Sequence, residues 1–205
     1  MKKPVLTKLV IGLIAIATFG FLFMRSLRDS RSEPYTVDQQ HLRGWTLALE
    51  PASTPNEPLL VLRPAAALPQ DLFRQVFART MESSTAQAGS AMPIVLRGEY
   101  DKVVGDQMTQ DQLLAAARRA GLEQASMVPR CLVHRRTSVP GGVQQVYLAL
   151  FDAPDVVRFR QQLGLDAGAL SPILFIAGAD SDFDRWLPMQ VDATAECLAA
   201  IDVAD

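Results

Sequence analysis

The chain has 205 residues, 49% hydrophobic and 20% charged, with a formal net charge of −2; that balance excludes a disordered chain and suits a globular one. Six of the 20 Lys/Arg and one of the 22 Asp/Glu fall within residues 1–31, leaving 14 bases against 21 acids, a net of −7, in the remainder. Binding to a phosphate backbone relies on clustered Lys and Arg, so nucleic acid is excluded as a partner.

The hydrophobicity is concentrated at the start. After a short tail, residues 1–8, the run Leu9–Met24 (LVIGLIAIATFGFLFM) carries no charge. As a helix rising about 1.5 Å per residue it covers about 24 Å, a little short of a hydrocarbon core of about 30 Å. Val5, Leu6 and Leu27 extend it, and Lys8 and Arg25 can snorkel on flexible stems. The expectation is an uncleaved single-pass transmembrane anchor over residues 9–27, in contact with membrane lipid. The run is long for a signal peptide, and no small-x-small cleavage site follows it. Lys2, Lys3 and Lys8 slightly favour a cytoplasmic N-terminus, which puts the rest of the chain outside the cytoplasm (in the periplasm of a bacterium).

Residues 28–43 read as a polar connector, partly ordered near Tyr35 and Val37, and residues 44–205 as one domain. Trp45–Leu49 alternates like a half-buried strand, and Leu59–Leu62 is a second strand after a Pro-rich break. A helix starts near Pro69, with Leu72, Phe73, Val76, Phe77, Thr80 and Met81 on one stripe. Ser83–Ala91 reads as a loop and Pro93–Leu96 as a strand. Thr109 and Gln112 make a capping-box pattern for a helix that ends at Gly121.

Cys131–Val139 and Val143–Phe151 flank Pro140-Gly141-Gly142, the pattern of a hairpin. If Val139 pairs with Gly142, then Val133 opposes Leu148, Cys131 opposes Leu150, His134 opposes Tyr147, and Arg136 opposes Gln145. The first two pairs form a core face. His134, Arg136 and Tyr147 then share a polar face able to bind a carboxylate or phosphate, and they are the candidate ligand-binding residues. Next come a helix opened by Pro154, with Val156, Val157, Phe159, Arg160 and Leu163, and an apolar strand, Pro172–Ile176. A helical turn near Phe183–Leu187 and a last helix near Ala193–Ile201 follow. The order is ββαβα twice and then a helix, which suggests an internal repeat of 44–121 and 130–190. The fold class is α+β, a mixed sheet packed with helices.

Several chemical patterns fail a check of spacing. Asp180, Asp182 and Asp184 open like a calcium loop, but Arg185 stands where glycine is needed and Val191 where a glutamate is needed. Neither His41 nor His134 precedes Thr or Ser by two residues, as a two-histidine phosphoesterase requires. Gly89-Ser90-Ala91 lacks the second glycine of a nucleophile elbow. Cys131 and Cys197 have no histidine or cysteine at zinc spacing, and can form a disulfide in an oxidising compartment. Glu99 and Asp101 read as a surface loop, and Trp45 and Trp186 as core aromatics. No metal, cofactor or catalytic residue is assigned. The sequence reads as a membrane-anchored extracytoplasmic module that binds a protein or envelope component. The alternatives are a membrane-anchored hydrolase built around His134, and the same domain on the cytoplasmic side.

Overall fold

The computed structural model describes residues 3–82, 84–86, 89–139, 142–178 and 190–204. The chain divides into two compact units, residues 1–33 and 34–205. The first is one helix, α1 (Lys3–Ser32). Its large apolar side chains between Leu13 and Met24 are exposed, Phe19 at 72%. Among the described residues no helix is long and apolar enough to cross a membrane, so the structure does not support the expected transmembrane segment. The physical reason is length: the uncharged stretch ends at Arg25, and Arg25 lies 3.8 Å from Asp29 in an exposed i,i+4 pair.

The second unit is a mixed α+β domain. A six-stranded sheet runs in the order β1 (Tyr35–Asp38), β9 (Cys197–Ala204), β6 (Val128–Val139), β7 (Gly142–Asp152), β8 (Ile173–Gly178), β4 (Thr85–Ala86). Only β1 and β9 are parallel; the other neighbours are antiparallel. A three-stranded antiparallel sheet runs β2 (Thr46–Leu49), β3 (Pro58–Arg63), β5 (Met92–Leu96). The helices are α2 (Ala67–Thr80), a short α3 (Arg97–Glu99), α4 (Gln110–Arg119), α5 (Pro154–Gln162) and a short α6 (Ala193–Glu196).

Four local readings follow from sequence chemistry. Thr109 caps α4 by accepting from the Gln112 backbone N–H, and the Gln112 side chain accepts from the Thr109 N–H at 2.8 Å. Gly121 then stops the chain at a left-handed φ of +73°. Pro154 opens α5, where its missing N–H costs nothing. The hairpin register is the expected one: Val133 faces Leu148, His134 faces Tyr147, and Arg136 faces Gln145.

Three expected features are corrected. Ala193–Ile201 is not a helix: after one turn the chain becomes β9, between β1 and β6. The alanines there favour a helix, but Ala199 and Ile201 alternate into the core and the ladder overrides propensity. Within the stretch read as a connector, Tyr35 and Val37 are core residues of β1. The loop expected over Ser83–Ala91 also holds β4, two residues paired to the end of β8. The turn near Phe183–Leu187, the aspartates 180, 182 and 184, and Trp186 lie outside the described residues.

The strands of the larger sheet are apolar on both faces because each face meets a different cluster. Leu132, Tyr147, Ala149, Leu174 and Ile176 join the main core with α2, α4 and α5. Cys131, Val133, Leu148, Leu150, Ile173 and Phe175 form a smaller cluster on the opposite side. Cys131 is bonded to Cys197, with Cα atoms 5.7 Å apart and a sequence separation of 66.

One charge lies inside. Arg160 on α5 is 1% exposed. It donates to the Ile94 carbonyl of β5 at 2.7 Å, to the Asp166 carbonyl at 2.8 Å, and to both carboxylate oxygens of Glu99 at 2.6 and 3.0 Å. Glu99 also accepts from the Leu96 N–H at 2.9 Å. Glu99 is therefore half of a buried ion pair rather than a surface acid, while Asp101 is exposed and pairs with Arg97 at 2.9 Å.

Two outcomes follow. Glu99→Ala strands the buried guanidinium and should cost about 3–5 kcal/mol in urea unfolding, whereas Arg160→Met, which removes the charge instead, should cost clearly less. Equal losses would show that packing rather than charge holds the site. Reducing the disulfide should lower stability by about 4 kcal/mol, from the closure entropy of so long a loop; a shift under 1 kcal/mol in parallel melts with and without reductant would contradict this.

Candidate functional site

The expected His134, Arg136 and Tyr147 face is assembled, but not as an open polar surface. Tyr147 is 1% exposed and belongs to the main core. His134 stacks on it across the strand pair, with ring centroids 4.4 Å apart and planes 5° from parallel. The Tyr147 hydroxyl donates to Glu82 Oε2 at 2.7 Å. Arg136 lies 3.5 Å from Glu82 Oε1 and donates from Nε to Gln145 Oε1 at 3.2 Å.

Glu82 is thus the centre of the group, and sequence reasoning missed it. It sits just past α2, between the expected helical stripe ending at Met81 and the expected loop starting at Ser83. Met81 before it ends α2 in the left-handed region, at φ 51°. A side chain there costs about 1–2 kcal/mol relative to ordinary backbone. A residue caught in that conformation next to a half-buried acid is the only local signal, and it is visible only in three dimensions.

The dense basic stretch around His134 is largely neutralised. Arg130 lies 3.4 Å from Asp152, and Arg136 is held by Glu82. Arg135 forms a fork on both oxygens of Glu196, at 2.6 and 2.7 Å, and also donates to the Gln190 carbonyl at 2.8 Å. Each of these three arginines already has an acid from its own chain. His41 is likewise engaged, with Nδ1 2.8 Å from Asp71 Oδ2. Ser90 is buried and donates to the Phe175 carbonyl, so its hydroxyl is a structural donor. Trp45 is buried, edge-on to Phe151 at 5.8 Å, and donates to the Leu42 carbonyl at 2.8 Å.

Among the described residues two carboxyls, the half-buried Glu57 and the exposed Asp192, are held below their ordinary range, both far in sequence from Glu82. Backbone N–H groups of Ser53 and Thr54 stabilise the charge on Glu57, and the side chain and N–H of Thr194 do so for Asp192. Among the described residues no group of three or more His, Cys, Asp or Glu side chains is placed to hold a metal ion.

Two open clefts lie among the described residues. One, of about 710 Å³, lies between α5 and the start of the hairpin, and its charged members Arg130 and Arg158 are paired with Asp152 and Asp155. The other, of about 480 Å³, lies where β6 begins and β9 ends. Neither is lined by His134. No family model matches the chain, and no curated protein and no solved structure matches it.

Tyr147→Phe should cost about 1.5–3 kcal/mol, the loss of one hydrogen bond to a charged acceptor. Glu82→Gln should cost a similar amount, and the double variant less than the sum. Strict additivity in a urea double-mutant cycle would show that the two groups are not coupled.

Proposed function

We propose that this protein is a membrane-tethered, extracytoplasmic binding module that recognises a protein or envelope component. The observation that carries the placement is the Cys131–Cys197 disulfide. A crosslink joining two neighbouring strands persists in an oxidising compartment and is rare in a reducing one. The tether is the apolar stretch of α1. Its uncharged run lies within one unbroken helix with basic residues at both ends. That run alone is short for a bilayer, and the flexible stems of Lys8 and Arg25 make up the difference.

The binding assignment is supported by how the polar groups are used. Around His134 the acid, the phenol and the guanidinium satisfy one another, which suits a rigid scaffold more than a centre awaiting substrate. The surface offers open clefts instead. A second reading has one specific point in its favour: Glu82 brings a carboxylate to Tyr147 and Arg136, beside the His134 ring, as a hydrolase built on that face would need. Both sheets also repeat a strand–strand–helix–strand order with antiparallel neighbours, which supports an internal repeat of 44–121 and 130–190.

The tether predicts that the chain stays with carbonate-washed membranes and that Ile16→Lys with Phe19→Lys releases it. Recovery of the unaltered chain in the aqueous fraction would overturn it. Crosslinking in intact cells should capture a partner, and Glu82→Gln should leave that capture unchanged. Turnover of a substrate that Glu82→Gln abolishes would favour the hydrolase.

A further inference from the structure

The ladder between β6 and β9 is incomplete. It pairs Cys131–Val133 with Cys197–Ala200 and stops there. Yet β6 begins at Val128, and β9 continues to Ala204. On their outer sides both ends are paired, Val128 and Pro129 with β7, and Ile201–Ala204 with β1. The strand ends therefore part from each other while each remains held by its other neighbour. Pro129 lacks an N–H to give, and a bulge between Pro129 and Cys131 bends β6 at this point.

The second cleft opens at this fork. Leu42, Met127, Val128 and Val203 give it apolar walls. Val128 and Val203 are 51% and 42% exposed, which is high for valines in strands. Arg43 is the one charged residue of the lining, and among the described residues it has no ion pair. No acid lines the cleft, although the domain as a whole is acidic.

We propose that this fork binds an extended apolar peptide ending in a free carboxylate. Three features carry the assignment together. Unpaired strand ends offer backbone donors and acceptors that an added strand can use. The valine and methionine walls accept alternate apolar side chains. Arg43 supplies a cation for the terminal carboxylate, with a charge-assisted bond as the anchor. The inference rests on the reading of the protein as a binding module and names the partner chemistry of that module.

The test uses the full chain in detergent micelles and a fluorescein-labelled pentapeptide, Gly-Thr-Val-Ile-Val, with a free carboxylate. Anisotropy should rise to saturation at micromolar protein. The same peptide as a C-terminal amide should bind about tenfold more weakly, and so should Arg43→Ala with the acid peptide. Val128→Asp, a change at a half-exposed position, should weaken binding at least as much. The assignment is overturned if anisotropy never saturates, if acid and amide bind alike, or if Arg43→Ala has no effect. It is also overturned if decanoate displaces the probe as well as unlabelled peptide does, since the site would then take a fatty carboxylate. Should the peptide fail while crosslinking captures a partner on another face, only the cleft assignment falls. Substrate turnover with no captured partner would instead remove the module itself.

Discussion

A buried guanidinium must find acceptors for its donors, and Arg160 finds them in three separate parts of the chain. It takes a carbonyl from β5, both oxygens of Glu99 just beyond that strand, and a carbonyl from the loop after its own helix. The contact on β5 belongs to the small sheet, while α5 connects two strands of the large one. One side chain thus fixes the two halves of the domain against each other. Its Nε has no partner among the described residues, which costs about 1–3 kcal/mol and makes the remaining bonds more necessary.

The same interaction belongs to a wider pattern, the closing of strand edges by long polar side chains. An edge strand presents unpaired backbone groups that invite another strand. On β1, the Gln75 amide accepts from the Thr36 N–H at 2.9 Å and donates to the Thr36 carbonyl at 2.6 Å, as a neighbouring strand would. Arg79 adds a bond to the Pro34 carbonyl at 2.9 Å. On β2, Glu123 accepts from the Leu47 N–H at 3.0 Å. On β5, Arg160 takes the Ile94 carbonyl. Helices and turns thus supply in side chains what the sheets lack in strands. Against that background the open fork between β6 and β9 stands out as an unsealed place.

Much of this was legible in the sequence wherever the signal was local. The hairpin register followed from where the Pro-Gly-Gly turn falls, because a turn sets which residues oppose. The capping box on α4 and the proline at α5 needed only a few adjacent residues. What was not legible depended on distant partners. β9 looked helical because its alanines speak for a helix and its two partner strands lie far away in the chain. Tyr147 looked like a polar-face residue because the strand alternates, yet both faces of that sheet are covered. Glu82 drew no reading and Glu99 read as a loop acid, since their partners lie 65 and 61 residues away. An arginine on the apolar stripe of α5 was the one sequence clue to a buried charge, and it does not say which acid answers it.

The parallel pairing of β1 with β9 has a consequence for how the protein is made. Tyr35 leaves the ribosome 166 residues before its partner Ile201 (201 − 35 = 166). Until then the first strand of the sheet has no strand beside it, and α2 is the helix that shelters it. Closing such a distant pair is entropically slow. A nascent chain stalled before residue 197 would hold nearly every helix of the domain and still lack the strand that both β1 and Cys131 require.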